Sequence, residues 1–174
     1  MIPILLALAF IAVLMVIVLT GQPDAFKISR STTIAAPPEK IFPHVNDLHQ
    51  WKPWSPWARL DPNSKASFTG PDAGTGSAMR WEGNGKVGIG TMTITDSKPS
   101  EMIRLRLDFE KPMQATNLAE FNFKPADGQT LVTWSMSGEN SLMGKIFGLF
   151  INCDKMVGCQ FEKGLANLKS VVGG

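Results

Sequence analysis

Two polar side chains fall where the surrounding pattern predicts apolar residues, which makes them the first candidates for chemistry in this sequence. Asp154 lies about 40° from Phe150 and about 20° from Phe161 on a helical projection, within an apolar stripe. A carboxylate buried there would have a raised pKa and could act as an acid, a base or a ligand anchor. Alternatively, Asp154 lies at the edge of the stripe and pairs with an arginine or lysine of a sheet. Asn117 carries the same ambiguity on a predicted strand.

Patterns that would bind a metal or perform nucleophilic catalysis are weak. His44 and His49 have no acidic or thiol partner at metal-ligand spacing, so we expect surface histidines and no metal site. Cys153 and Cys159 lie about 120° apart on one predicted helix and cannot form a disulfide with each other. The sequence contains no G-x-S-x-G motif, and it predicts no cofactor.

The segment from Gly83 to Gly88 matches the G-x-G-x-x-G pattern of dinucleotide-binding proteins. That fingerprint requires glycines that open a helix, because the helix N-terminus holds the pyrophosphate. Here the flanking residues alternate as strands do, so we interpret the segment as a hairpin turn.

A cluster of aromatic residues and prolines follows the first predicted helix, with Trp51, Trp54 and Trp57 at every third position. Tryptophan offers a large apolar face and one N–H donor. These residues either cover the end of the core or line the entrance to a ligand-binding cavity.

Most of the segments that position these residues are predicted strands. A first strand is predicted from Phe26 to Ile34, and a proline-opened helix follows through Leu48. From Lys65 to Ser137, apolar and polar residues alternate in consecutive segments joined by short turns, which predicts an antiparallel meander. The alternation directs four aromatic residues to one buried face: Trp81, Phe109, Phe121 and Trp134.

A long helix is predicted from Ser141 to about Val171. Apolar residues at three- and four-residue steps form a single stripe, on which Gly164 permits close packing: Met143, Ile146, Phe147, Phe150, Val157, Phe161, Leu165 and Leu168. The element order predicts an α+β fold in which a curved antiparallel sheet of about seven strands wraps on this helix. We expect a cavity wherever the sheet and the helix do not touch.

Residues 2–19 contain no charged side chain, and a helix of this length spans about 27 Å. We predict a single transmembrane anchor over residues 1–21, a linker over 22–25 and a folded body over 26–174. A cleavable signal peptide and a buried core helix are the alternatives, but no basic residue precedes the apolar stretch. The cations that follow it favour a body facing the cytoplasm: Lys27, Arg30 and Lys40.

Charge and composition exclude several classes of protein. Seventeen Lys and Arg against fifteen Asp and Glu give a net charge of +2 with both signs interspersed. This balance argues against a nucleic-acid-binding protein. Ten Phe and five Trp allow the body to form a core, and we expect it to be a monomer.

Several of these segments together resemble the SRPBCC superfamily, also called START-like or helix-grip, and within it the polyketide cyclase/dehydrase and lipid-transport group. The matching stretches are residues 31–42, 51–57 with Asp61-Pro62, 74–81, 132–134 and 158–168. The resemblance implies a helix-grip fold, with two short helices after the first strand and a deep cavity for lipids, polyketides or other apolar molecules. It places no catalytic set on this sequence.

The leading hypothesis is a membrane-anchored binding module for a hydrophobic small molecule or lipid. One alternative is a structural or regulatory interaction protein whose cavity is filled by its own aromatic side chains. Another is a polyketide cyclase/dehydrase-like enzyme with Asp154 as acid or base. The candidate ligand-binding residues are Trp54, Trp81, Phe109, Asn117, Phe121, Trp134 and Asp154.

We predict that residues 26–174 fold as a soluble monomer without the apolar segment, because residues 2–19 have no polar face with which to join a core. Size-exclusion chromatography and thermal unfolding of the shortened chain test this. Insolubility in several expression hosts, with no cooperative unfolding transition, would contradict it.

Overall fold

The computed structural model of the protein describes residues 2–140, 142–149 and 153–173. Its helices are α1 (Ile2–Thr20), α2 (Pro38–Asn46), a short 3-10 helix (Leu48–Trp51), α3 (Pro56–Leu60), α4 (Leu142–Gly148) and α5 (Cys153–Gly173). Its strands are β1 (Ala25–Ile34), β2 (Lys65–Thr69), β3 (Ala78–Glu82), β4 (Ile89–Lys98), β5 (Met102–Lys111), β6 (Ala115–Ala126) and β7 (Gln129–Glu139).

The strands form one sheet in the order β1-β7-β6-β5-β4-β3-β2. Every pairing is antiparallel. Strands β2 to β7 follow the meander that the sequence predicts, whereas β1 pairs with the last strand. The α+β class, the seven antiparallel strands and the C-terminal helix are confirmed and are consistent with a helix-grip architecture.

The core lies between α5 and the face of the sheet that we call the inner face. Residues directly opposite each other in an antiparallel ladder point to the same face. The paired residues of this face therefore form rows that run across the strands. One row is almost completely buried and runs Ile94, Leu105, Ala119, Met136 and Ile28. The neighbouring row runs Ile103, Phe121, Trp134 and Arg30.

The predicted single C-terminal helix is wrong in its first part. Helix α4 ends at Gly148, and the amide of Leu149 donates to the carbonyl of Ile146 at 3.2 Å, a tightened bond typical of a helix end. The second helix begins at Cys153. Ser141, predicted as the start of the helix, and Phe150, predicted as part of the stripe, lie outside the described residues. The rest of the stripe on α5 packs on the core: Phe161, Leu165 and Leu168 are buried and Val157 is half-buried.

Helix α1 coincides with the segment that the sequence predicts as a membrane anchor. Its described large apolar side chains are exposed: Ile4, Phe10, Val13, Leu14, Met15, Val16, Ile17 and Val18. In the part of the chain that the structure describes, no helix combines the length and the hydropathy needed to cross a membrane. The predicted anchor is therefore not supported by the structure.

Helix α5 approaches the sheet closely because Gly164 faces it. A Cβ atom at this position would lie 2.7 Å from Cζ3 of Trp134 and 3.1 Å from Cδ of Pro56. The expectation that Gly164 permits close packing is confirmed. A further contact holds the helix, since the side-chain amide of Asn167 donates to the carbonyl of Trp54 at 3.2 Å.

We predict that Gly164→Ala lowers the free energy of unfolding by about 1–3 kcal/mol, because the overpacking against Trp134 outweighs the gain in helix propensity. Gly173→Ala is the matched control, since a Cβ there meets no atom within 4 Å. Urea unfolding followed by tryptophan fluorescence compares the two variants. Equal midpoints would show that the helix can move away from the sheet without cost.

Candidate functional site

An aromatic cluster occupies the space between the sheet and α5. We use this name for five side chains, each at most 4 % exposed: Trp51, Trp54, Phe121, Trp134 and Phe161. Trp134 is stacked between Phe121, at 4.7 Å between ring centroids, and Phe161, at 4.2 Å. Trp51 and Trp54 meet Trp134 edge-on at 6.2 and 5.8 Å. Such geometry adds about 0.5–1.5 kcal/mol per pair to the effect of burial.

The buried indole N–H groups of this cluster differ in their partners. Trp51 Nε1 donates to the carbonyl of Val45 at 2.9 Å, and Trp54 Nε1 donates to that of His44 at 3.1 Å. Trp134 Nε1 is buried and has no hydrogen-bond acceptor among the described residues. A buried donor without an acceptor costs about 1–3 kcal/mol. An oxygen atom brought next to Trp134 would remove that cost.

Burial of the inner face decreases from this cluster toward the ends of β3 and β5. Beyond the buried row that contains Leu105, the next row runs Met79, Met92, Leu107 and Asn117, and Met79 and Leu107 are only half-buried. The last row runs Trp81, Gly90 and Phe109, where both aromatic rings are half-buried. We call these last two rows the open end of the inner face.

Two glycines create the space that the side chains of the open end occupy. A Cβ on Gly90 would lie 2.5 Å from Cζ2 of Trp81, so the indole lies directly over this glycine. A Cβ on Gly138 would overlap the amide of Asn117. The Trp81 ring meets Phe109 edge-on at 5.6 Å, and its Nε1 donates to the carbonyl of Val87 at 3.3 Å. The open end is thus an apolar surface in which glycines make room for Trp81 and for one buried side-chain amide, that of Asn117.

The glycine-rich segment between β3 and β4 is the hairpin turn that the sequence predicts. The amide of Gly83 donates to the carbonyl of Gly88 at 2.8 Å, and Gly88 adopts a φ of 74°. The carboxylate of Asp61 accepts from the amide of Asn84 at 2.7 Å and so fixes the turn from outside. No helix follows the glycines, because strand β4 begins at Ile89.

Asp154 is exposed and paired, so of its two alternatives the buried one is wrong. Its carboxylate accepts from Arg30 Nη2 at 3.0 Å and from Arg30 Nη1 at 3.2 Å. Hydrogen bonding by Arg30 holds the pKa of Asp154 below its ordinary value, although desolvation opposes the shift. The interpretation that holds is the alternative one, in which Asp154 lies at the edge of the stripe and pairs with a cation of the sheet.

Arg30 connects strand β1 to two turns of α5, because its Nε also donates to Glu162 at 2.8 Å. Gly158 lies between Asp154 and Glu162 at four-residue steps, and a Cβ there would overlap the guanidinium. These hydrogen bonds, to Asp154 first and Glu162 second, raise the pKa of Arg30. Sequence reasoning offered a sheet cation for Asp154 but missed Glu162 as the second partner of that cation, although the D-x-x-x-G-x-x-x-E spacing on the helix places a small residue between two carboxylates.

The structure therefore divides the predicted ligand-binding residues among three places. Trp54, Phe121 and Trp134 are packed in the aromatic cluster, and Asp154 lies at the start of α5. Trp81, Phe109 and Asn117 lie together at the open end. Met79 and Leu107 belong to the same surface but were not predicted, although they share the strand parity of Trp81 and Phe109.

Two surface depressions flank these groups. One, of about 380 Å³, lies at the β5–β6 hairpin and is lined by Phe109 with Asp108, Glu110, Gln114, Ala115 and Thr116. The other, of about 390 Å³, lies between α3 and α5 and is lined mainly by polar side chains, among them Arg59, Lys163 and Asn167. The first lies at the edge of the sheet, and its residues Asp108, Glu110 and Thr116 alternate with those of the inner face.

A family model described as polyketide cyclase/dehydrase and lipid transport matches residues 25–173. The chain belongs to this family. Membership accounts for the helix-grip architecture and indicates a fold that binds hydrophobic ligands. No curated protein matches the chain.

Solved structures support the same fold at low sequence identity. Protein jhp0584 from Helicobacter pylori has a TM-score of 0.63 at 12% identity, with 87% of this chain and 90% of that chain covered. Protein CV1439 from Chromobacterium violaceum has a TM-score of 0.61 at 15% identity, with coverages of 88% and 99%. Ara h 8.0201 has a TM-score of 0.58 at 13% identity, with coverages of 85% and 97%. At these identities the likeness concerns the fold alone.

We predict that Asp154→Asn lowers stability at neutral pH and leaves Trp134 fluorescence unchanged, because it removes one partner of Arg30 outside the aromatic cluster. A depressed carboxylate pKa contributes stability above the pKa of the unfolded chain, and this contribution is lost as the pH falls through the folded value. The difference between wild type and variant should therefore disappear between about pH 5 and pH 2.

Urea midpoints measured across this range test the pairing, with Asp72→Asn, an exposed carboxylate without an ion pair in the described structure, as the control. A variant more stable than wild type at neutral pH would show that Asp154 is buried after all.

Proposed function

We propose that this protein binds a hydrophobic small molecule or lipid on the open end of the inner face and attaches to a membrane through helix α1. The observation that carries the proposal is the decrease in burial along one continuous apolar surface, from Leu105 to the half-buried Leu107 and Phe109. Partly exposed apolar side chains next to a packed core are the usual lining of a ligand site.

The chemistry of the open end favours an extended apolar ligand with few polar groups. Trp81, Leu107 and Phe109 offer apolar area, and the side-chain amide of Asn117 offers one donor and one acceptor at the base. The family's hydrophobic-ligand fold supports this class of ligand.

Binding is proposed in preference to catalysis because of the surroundings of Asp154. This residue was the candidate acid or base, and its carboxylate is exposed and hydrogen-bonded by Arg30. A general acid or base requires a pKa near the working pH, whereas the pKa of Asp154 is lowered further below neutrality.

A second candidate function is supported by the aromatic cluster. The stack of Phe121, Trp134 and Phe161 fills the region where a deep cavity would lie. A protein with a filled interior would act as a structural or regulatory interaction module and would bind no ligand inside. The two candidates differ in whether the open end takes up an apolar probe.

Membrane attachment is proposed for α1 because apolar side chains are exposed around this helix. Phe10 and the run from Val13 to Val18 are each about half exposed. A helix that is apolar on all sides is normally buried in a protein core or in a membrane. A single-pass arrangement with the body facing the cytoplasm remains the orientation we favour.

We predict that the full chain binds a dansyl-labelled fatty acid with energy transfer from tryptophan, and that Phe109→Ser weakens binding about tenfold by removing apolar contact area. Leu118→Ser is the matched control, because Leu118 is an exposed apolar residue on the neighbouring strand outside the inner face. Equal loss in both variants would contradict the location of the site.

Trp134→Ala separates the two candidate functions. If the aromatic side chains fill the interior and the open end binds nothing, wild type does not bind the probe. The variant does bind it, because loss of the indole enlarges the interior. If the open end is the site, wild type binds and the variant retains binding at the temperature where it is folded. Absence of binding in wild type at any probe concentration would refute the binding function.

A further inference from the structure

We propose that the open end faces a lipid bilayer, with Met113 and Leu142 inserted in its interfacial region beside helix α1, so that the apolar ligand enters from the membrane. This inference rests on the proposed function and adds the direction from which the site is loaded. A lipid surface covers the exposed apolar residues around the open end.

The connection between α1 and β1 is short. Helix α1 ends at Thr20 and β1 begins at Ala25, so the intervening residues span at most about 15 Å. Because β1 is antiparallel to β7, its first residue lies opposite Glu139, at the same edge of the sheet as the β5–β6 turn. A bilayer that holds α1 must therefore lie near this edge.

Hydrogen bonds fix the connection between α1 and the body. The side-chain amide of Asn140 donates to the carbonyl of Pro23 at 3.0 Å, and its backbone amide donates to the carbonyl of Asp24 at 2.8 Å. Lys145 of α4 donates to the carboxylate of Asp24 at 2.6 Å, which lowers the pKa of Asp24. Helix α1 also contacts α4. The exit of α1 is thus held beside α4 and does not hang on a free linker.

Exposed apolar residues lie at this edge. Leu142 opens α4 directly after the Asn140 contact and is 64 % exposed, and Met113 is 42 % exposed in the β5–β6 turn. Neighbouring strands are about 4.8 Å apart, so the β5–β6 turn and the end of β7 lie close together. At the opposite edge the β6–β7 turn is Asp127-Gly128, which is polar.

Charge at the same edge has both signs, since Glu82, Glu110 and Glu139 are exposed there beside the lysines. Lys65, Lys86 and Lys111 are exposed at or next to the ends of β2, β4 and β5, and none forms an ion pair within the described residues. The last row of the open end, with Trp81 and Phe109, lies at this edge as well, so an acyl chain that leaves the bilayer there meets the open end.

Fluorescent labelling of the full chain in vesicles tests the orientation. Single cysteines are introduced by Met113→Cys or Leu142→Cys on a Cys153→Ser, Cys159→Ser background, labelled with an environment-sensitive dye, and reconstituted in phosphatidylcholine–phosphatidylserine vesicles with nitroxide-labelled lipid. Ala126→Cys, exposed at the far end of β6, is the control. We expect a blue shift and quenching at positions 113 and 142 and neither at position 126.

The outcomes separate this inference from the proposed function. Vesicle flotation with aqueous, unquenched labels at positions 113 and 142 overturns the bilayer-facing orientation and leaves attachment through α1 intact. Absence of flotation overturns both. A blue shift that depends on protein concentration and is insensitive to the nitroxide lipid identifies a second copy of the chain as the occupant and overturns the inference.

The loading route is tested by transfer of the dansyl-labelled fatty acid from vesicles. Combining Met113→Asp with Leu142→Asp should slow transfer about tenfold, because charges are excluded from the lipid interface, while the equilibrium affinity for the dissolved probe is unchanged. Leu131→Asp, on the outer face near the opposite edge, is the control. Equal transfer rates in all three proteins would overturn the route. A loss of equilibrium affinity in the double variant would also overturn it, because the two residues would then belong to the binding site.

Discussion

The stack of Trp134 between Phe121 and Phe161 is the contact on which the rest of the structure depends. It joins the centre of the sheet to the C-terminal helix at 4.7 and 4.2 Å between ring centroids. Its closeness requires Gly164, since any side chain at that position would meet the indole. It also determines where Trp51 and Trp54 can lie, because both pack edge-on against the same ring. The short helices after β1 are thereby held at the end of the core.

This stack settles how the interior volume is used. Space between a curved sheet and a helix can be filled by the protein's own side chains or left for a ligand, but the same volume cannot serve both. Here the rings fill the centre, and among the described residues the inner face keeps partly exposed apolar area where the rows pass beyond Leu105 toward Phe109. The buried Leu105 row separates the unpartnered N–H of Trp134 from that open end.

The sequence correctly predicts which face of the sheet a side chain lies on, but it does not predict how deeply that side chain is buried along its strand. Strand alternation correctly assigned Trp81, Phe109, Phe121 and Trp134 to one face, because side-chain direction has a period of two. It could not separate Phe121 from Phe109, since burial along a strand depends on what lies above it. The helical projection placed Asp154 near the stripe. Whether this carboxylate is buried or paired depends on Arg30, an inward-facing cation on β1, and the contact between β1 and α5 is set by the tertiary fold. The break between α4 and α5 likewise interrupts a stripe whose periodicity predicted one helix.

Helix α5 is held unequally along its length. Its C-terminal half is fixed by Phe161, Leu165 and Leu168, which are buried in the core. Its first two turns are held by the half-buried Val157 and by Arg30, whose partners Asp154 and Glu162 are more than half exposed. Exposed ion pairs contribute little and are screened by salt. Local opening in a protein begins where buried contacts are few. The start of α5 can therefore separate from strand β1 while the Trp134 stack stays closed.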